Sequence, residues 1–524
     1  MHDVPMGADM RVQVKALDKL RQEARGDHDE IGTRRQHEKG KLTVRERIDL
    51  LFDPGSFVEI DTFRRHRSTS LGLADKKPLT DGVVTGWGDI HGRRVFVYAH
   101  DFRIFGGSLG EEHAKKIQKV LDLALKARCP VISLNDGAGA RIQEGVAALA
   151  GYGGIFTRIV KASGVVPQIS VMLGPCAGGA AYAPALTDFV FMVDGSSQMF
   201  VTGPDVIKAV TGELISQDQL GGARVHCETS GVAHGFYDDE RTCLEEVRYL
   251  VSMLPQNSSS APTPYVLEDP VDRESPELLD LVPTSPTASY DMRDVIECLV
   301  DDGELFEVHA HWARNIVCCL ARMGGRVVGI VANQPQVLAG ALDIDASDKG
   351  ARFVQMCDSF RIPLLTLVDV PGFLPGVHQE HHGLIRHGAK LLYAYCNATV
   401  PRVSVVVRKA YGGAFIVMDS QSVGADVALA WPTNEVAVMG PDAAANVIFR
   451  REIAAADDGV GEHRRRVEQY REEFMHPFYA AERGLVEDVI DPAHTRRIVI
   501  DCFRSLAGET DLGVPASAHG NPPT

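Results

Sequence analysis

Two stretches of this chain carry residues suited to chemistry done by backbone groups alone. Val166 to Ala180 reads VPQISVMLGPCAGGA, and Val400 to Ala414 reads VPRVSVVVRKAYGGA. In each, an apolar, β-branched run passes through a turn into Gly-Gly-Ala at the expected start of a helix. The first N–H groups of a helix have no intrahelical acceptor and carry the positive end of its dipole. Glycine lets a ligand reach them with no Cβ in the way. Gly178 and Gly179, and later Gly413 and Ala414, therefore suit a site where main-chain amides grip an oxygen that becomes negative. One such donor contributes ~3–4 kcal/mol of barrier lowering. Tight packing of helix on sheet also asks for small residues, but two copies at matched positions favour the chemical reading.

Other candidate groups point less firmly to chemistry. DGAGARIQE (Asp136 to Glu144) resembles part of a dinucleotide fingerprint, but the third glycine is missing. It reads better as a glycine-rich loop, with Gly139 lining the same cleft. Cys176 precedes the first Gly-Gly-Ala, with no obligatory His or Asp partner visible, and so reads as a buried thiol. His378 and His382 stand four apart in HQEHHGLIRH, without HExxH order, and read as a wet helix end rather than a metal pair. FVTGPDVIKAVTGE lacks the GK[ST] of a phosphate loop.

The elements that must position these groups are themselves repeated. GRRVFVYAHD from Gly92 and GRVVGIVANQ from Gly325 each open a strand after a tight turn. Gly107 in FGGSLG then answers to Gly340 in LAGALD, Lys116 to Lys349, and Pro130 to Pro363, all at an offset of 233 residues. Strands CPVISLND and IPLLTLVD close at Asp136 and Asp369, and the offset grows by one before the two Gly-Gly-Ala stretches. Helical stretches such as EEHAKKIQKVLDLALKA alternate with the strands. The expectation is an α/β chain of two domains of one architecture, related by internal duplication. We place the domains at residues 10–257 and 290–510, with a Pro- and Ser-rich linker at 258–289.

Composition bounds the function classes. The 524 residues exceed one hydrophobic core. A formal net charge of -16 argues against nucleic-acid or anionic-membrane partners. The basic run between Arg11 and Arg47 reads as a solvated helical face of mixed charge. Ten cysteines without a CxxC point to reduced thiols and no structural zinc. MHDVPMGADMR has no apolar signal region, and no apolar run is long enough to span a bilayer, so the expected location is cytoplasmic.

With these residues in view, the chain resembles the carboxyltransferase (β) subunit of biotin-dependent acyl-CoA carboxylases, of the propionyl-/acetyl-CoA carboxylase kind. LAGALDI resembles the AGxDI loop of the crotonase superfamily. GKLTVRERIDLLFDPGSFVEID, NDGAGARIQEG, CAGGAAYAPALTDFVFMVD, VDVPGFLPG, KAYGGAFIVM and HPFYAAERGLVEDVIDP match in order over about residues 38 to 495. The resemblance implies two tandem crotonase-like domains and a homo-hexamer made of dimers, with active sites at the dimer interface, where one protomer's first domain faces the other's second domain. It implies acyl-CoA on the first domain and carboxybiotin, carried by a biotinylated α subunit that uses ATP and bicarbonate, on the second. It assigns Gly178-Gly179 to the thioester oxygen and Gly413-Ala414 to the biotin ureido oxygen. The released biotin nitrogen would take the α-proton, so no side-chain base is required.

Three positions depart from the family pattern. Ile416 stands where propionyl-type members carry Asp, Gly151 where Leu is expected, and Ala341 where Cys is frequent. Together they raise the expectation of an enlarged acyl pocket and a longer alkylmalonyl-CoA product. The chain has no AMKM biotinylation sequence, no ATP-binding half and no four-cysteine zinc ribbon, so it reads as one subunit with no metal of its own. Alternatives are the transferase subunit of a biotin-dependent decarboxylase or transcarboxylase, a ClpP-like serine hydrolase, and a noncatalytic CoA-binding scaffold.

Overall fold

The computed structural model describes residues 9–26, 29–266, 268–506 and 519–523. The residues at 1–8, on which the reading of the N-terminus rests, and the expected domain end at 507–510 lie outside the described residues. The chain separates into two compact units, one ending at Asn257 and the other beginning at Ser258.

The strands of the first unit are β1 (Val58–Ile60), β2 (Val83–Ile90), β3 (Arg93–His100), β4 (Val131–Gly137), β5 (Gln168–Ala177), β6 (Phe189–Val193), β7 (Gln198–Phe200) and β8 (Gly235–Tyr237). They form one sheet in the order β1-β2-β3-β4-β5-β6-β8, with β7 beside β5. The tight turn at His91-Gly92 makes β2 and β3 antiparallel, whereas β3, β4, β5 and β6 run parallel. Parallel neighbours need crossovers, and the helices Glu111–Ala127 and Val146–Ala162 supply them. Every residue of β4 and β6 is buried, as a strand covered on both faces requires.

The second unit repeats this plan with β9 (Leu305–Val308), β10 (Ile316–Met323), β11 (Arg326–Asn333), β12 (Leu364–Val370), β13 (Arg402–Tyr411), β14 (Val427–Ala430), β15 (Glu435–Ala437) and β16 (Asp488–Val489). Its order is β9-β10-β11-β12-β13-β14-β16, with β15 beside β13. Register repeats as well as order. Phe96 pairs with Val131 in one sheet and Gly329 with Leu364 in the other.

Lys116 and Lys349 repeat a device that spacing alone did not explain. Each is buried on the helix after its glycine loop, Glu111–Ala127 or Ile344–Ser359. Lys116 Nζ donates to the carbonyl oxygens of Thr80 (3.0 Å) and Val83 (2.5 Å). Lys349 Nζ donates to those of His309 (3.0 Å) and Ile316 (2.7 Å). Thr80 (φ 66°) and His309 (φ 56°) are left-handed, so each ammonium gathers the carbonyls of a strained turn that feeds β2 or β10. Burial pushes the Lys116 ammonium down to about 8.

Two sequence expectations change. The basic run is not all solvated face. Arg34, Arg35 and Lys39 are exposed, but Lys41 and Arg47 are buried, and Arg45 pairs with Glu59 at 2.7 Å. Lys41 reaches Asp136 at 2.6 Å, and Arg47 bridges Asp136 (2.8 Å) and Glu240 (2.6 Å). The run therefore pins the helix Val44–Leu51 to the end of β4 and the start of the helix Glu240–Met253. Nor is the whole 258–289 stretch a linker. Leu278 and Val282 are buried in the core cluster of the second unit with Tyr290, Ile296 and Trp431. Two leucines and a valine in LLDLV are enough to dock a single helical turn.

Candidate functional site

In the first unit the strand–turn–helix is built at the end of β5. Gly178 has φ 61° and ψ −124°, open to glycine and closed to most other residues. The short helix Gly179–Ala185 starts directly after it. The N–H of Gly178 donates to the Phe200 carbonyl oxygen on β7 at 3.0 Å. Gly178 thus turns the chain but has its amide committed. Ala181 N–H bonds back to the Gly178 carbonyl oxygen at 3.0 Å. That leaves Gly179 and Ala180 as the N–H groups at the helix start. A Cβ on Gly179 would sit 2.9 Å from the Tyr152 ring, so glycine is also needed there for fit. Neighbouring Cys176 is buried, and burial pushes its thiol up to about 12, which suits packing rather than attack.

The second unit repeats the turn one residue out of step with the expected assignment. Gly412 (φ 63°) is the counterpart of Gly178, and the helix Gly412–Val417 carries Gly413 and Ala414 in its first turn. The matched first-turn pairs are therefore Gly179-Ala180 and Gly413-Ala414, whereas the expected first pair was Gly178-Gly179. Nothing lies within 4 Å of the place where a Cβ on Gly413 would stand. The offset at these stretches already sets Gly178 against Gly412 in sequence; only the fold shows the bond that commits the Gly178 N–H to β7.

A second glycine turn lies beside each. Gly107 (φ 64°) packs so closely that a Cβ would fall 2.1 Å from the Asp136 carbonyl oxygen. At Gly340 (φ 78°) the corresponding distance, to the Asp369 carbonyl oxygen, is 2.6 Å. Buried Ala341 follows Gly340 and caps that turn. The turns are zipped to the loops after β4 and β12. Leu109 N–H donates to Gly139 O at 2.8 Å, and Leu342 N–H to Gly372 O at 3.1 Å. A Cβ on Gly139 (φ 93°) would stand 2.9 Å from Ala177 O, just before Gly178. In the first unit the structure thus brings Gly107, Gly139 and the Gly178 turn together. In the second, the Gly340 turn packs on Asp369 of β12, and β12 pairs with β13 up to Val370 and Ala410, two residues before Gly412.

Gly151 does not open a pocket. It is buried in the helix Val146–Ala162, where a Cβ would lie 2.6 Å from Ala114 Cβ and 3.1 Å from Leu109 Cδ2. The volume of the expected leucine is already filled by the neighbouring helix, so the enlarged-pocket expectation loses its main residue. Ile416 is 39% exposed on the helix after the second Gly-Gly-Ala. His378 and His382 are exposed, their rings stacked at 4.1 Å, and among the described residues no group of three His, Cys, Asp or Glu could hold a metal ion.

The sequence reading missed the charges that fix these turns. Asp136 and Asp369 mark the ends of β4 and β12, but their burial and partners were not legible. Asp369 accepts from Tyr290 (2.9 Å) and Arg408 (3.0 Å), and also from the Lys409 N–H at 3.1 Å. Matched positions in the repeat were the available signal, since an acid kept in both copies at a strand end has a structural duty.

The family model "Carboxyl transferase domain" matches residues 35–522. The chain belongs to the carboxyl transferase family. It is 54% identical to the carboxyltransferase subunit of propionyl-CoA carboxylase from Haloferax mediterranei, over 98% of this chain and 99% of that protein. It is also 54% identical to methylmalonyl-CoA decarboxylase subunit alpha from Propionigenium modestum, over 93% of this chain and 94% of that one. Among solved structures, transcarboxylase 12S, described as a hexamer with methylmalonyl-coenzyme A bound, superposes with a TM-score of 0.95 at 48% identity, covering 100% of both chains. The two α/β units thus have the fold of that carboxyltransferase core.

Proposed function

We propose that this chain is the carboxyltransferase subunit of a biotin-dependent acyl-CoA carboxylase. It moves the carboxyl group of carboxybiotin to the α carbon of a short acyl-CoA, propionyl-CoA or acetyl-CoA. The observation that carries this reading is the duplicated turn in a member of the carboxyl transferase family. The reaction generates two anionic oxygens, on the thioester enolate and on the ureido group, and the chain holds two matched pairs of first-turn amides. Gly179 and Ala180 would hold the first oxygen and Gly413 and Ala414 the second. Gly107, Gly139, Gly340 and Ala341 would shape the flanking turns, and Ile416 the edge of the second site. Such donors act as preorganised dipoles and need no side-chain base.

Biotin would arrive on a separate biotinylated subunit that consumes ATP and bicarbonate, and the chain would work in the cytoplasm as a homo-hexamer. The domain limits proposed are 10–257 and 290–510, with 258–289 between them and its turn at Leu278–Leu281 docked on the second domain. Among the described residues no helix is long and apolar enough to cross a membrane. The test pairs the purified chain with a biotinylated carboxylase partner, ATP and labelled bicarbonate, and offers acetyl-, propionyl- and hexanoyl-CoA. Label fixed into malonyl- or methylmalonyl-CoA supports the reading. Binding of acyl-CoA without label transfer points instead to a scaffold.

A second reading has its own observation. Identity to a methylmalonyl-CoA decarboxylase subunit equals identity to a carboxylase subunit. The same amides would then serve transfer toward biotin. Copurification with a membrane-embedded partner in place of an ATP-using one would select it.

A further inference from the structure

The backbone zipper between the glycine turn and the loop after the central strand is common to both units, but the charges around it are not. In the first unit Arg141 N–H donates to Leu109 O at 2.9 Å, and in the second Leu374 N–H donates to Leu342 O at 2.7 Å. The offset of 233 thus sets Leu374 against Arg141 and exposed Arg314 against buried Asp81. The Arg141 side chain is 1% exposed. Its Nη1 donates to Asp81 Oδ1 (2.7 Å) and Glu144 Oε1 (2.8 Å). Its Nη2 donates to the carbonyl oxygens of Ser108 (3.0 Å) and Asp81 (3.2 Å). The guanidinium also lies 4.7 Å from the centre of the Phe105 ring. Its two carboxylates reach onward. Glu144 accepts the Glu111 N–H at 2.8 Å and Asp81 the His113 N–H at 3.0 Å, both in the helix Glu111–Ala127.

One buried cation thus holds the Gly107 turn, the Gly139 loop, the turn into β2 and the start of a helix. The second unit keeps the same backbone contacts with leucine at this position, so the fold itself does not need the guanidinium. We propose that Arg141 is a positioning residue for the first unit's substrate, setting the spacing of the Gly107 and Gly139 turns for acyl-CoA without touching it. This inference rests on the reading of acyl-CoA on the first unit and carboxybiotin on the second. The planar fork makes four bonds to three residues, which an ammonium cannot copy.

The test uses Arg141→Lys and Asp81→Asn in the full chain assembled with its biotinylated partner. The expected result for both is a KM for acyl-CoA raised at least tenfold, with the KM for the biotin carrier within twofold of the parent. A smaller change in kcat than in KM is also expected. A merely structural role would lower the melting midpoint and move both KM values together. Folded variants with both KM values unchanged, or both raised alike, would overturn the proposal. Asp81→Asn keeps the test open if Arg141→Lys does not fold, because it removes the fork's main partner and leaves the cation. A parent complex that transfers no carboxyl group would overturn the functional reading itself, and this inference with it.

Discussion

A proline in the first turn of a helix removes one N–H and leaves the helix standing, since that N–H has no intrahelical partner. Ala180→Pro therefore isolates one amide of the first site. If Ala180 is a donor to a developing oxyanion, kcat for carboxyl transfer should fall by roughly 10²–10³, with the melting midpoint held within a few degrees. A kcat within threefold of the parent would remove Ala180 from the site. Gly151 carries the opposite expectation. Its neighbours Ala114 and Leu109 leave no room for a side chain. Gly151→Leu should cost about 1–3 kcal/mol of stability by overpacking. The hexanoyl- to propionyl-CoA turnover ratio should stay where it is, and denaturant melts beside a two-substrate assay would read both. The departures at 151, 341 and 416 were legible as differences. What they do was not, because a glycine between two helices reads the same in sequence whether the gap is open or closed.

At the scale of elements, the C-terminal residues give a pH-dependent contact. His519 Nε2 lies 2.7 Å from Asp358 Oδ2 at the end of the helix Ile344–Ser359, and Asn521 is buried nearby in sequence. The hydrogen bond to Asp358 raises the His519 pKa above its usual value. A raised histidine contributes stability that is complete below its unfolded pKa of ~6.5 and is lost as pH rises through the folded value. Asp358 is shifted the other way. Burial opposes the shift, but the bonds from His519 and Thr399 hold its carboxyl below the ordinary range. It therefore stays ionised through the window in which His519 titrates. Amide exchange at His519, Gly520 and Asn521 should speed up as pH rises through and above neutrality, after correction for intrinsic rates. His519→Ala should exchange fast throughout. Equal protection from pH 6 to 9 in the parent would show that the pair does not hold this segment. Helices and strands were easier to read than such contacts, because EEHAKKIQKVLDLALKA and CPVISLND carry their periods locally. The Lys116 clamp and the Asp136 cluster join residues that only the folded sheet brings together.

At the scale of the whole molecule, duplication made the architecture legible. A shared offset across glycines, prolines and lysines says that the two units share one plan, and both sheets keep it down to Phe96–Val131 and Gly329–Leu364. Where the copies have diverged, their shared plan no longer says what each site does. Arg141 against Leu374, and Tyr152 beside Gly179 against open space beside Gly413, mark where the two turns differ. Under the proposed function the two units would handle two substrates, with ATP consumed on the partner subunit. Such a chain has no need of ATP for the transfer itself. Supplied with methylmalonyl-CoA and free biotin, and with no nucleotide or partner, it should form propionyl-CoA and carboxybiotin, slowly because untethered biotin lacks the effective concentration of a carrier. Ala180→Pro and Ala414→Pro should each slow this exchange. The double variant should be less impaired than the product of the two single effects, because both oxygens change charge in one transfer and the donors act as a unit. Exchange that requires ATP would place nucleotide chemistry in this chain and overturn the proposed division of labour. Losses that multiply fully would mean that the two turns serve separate steps rather than a single handover.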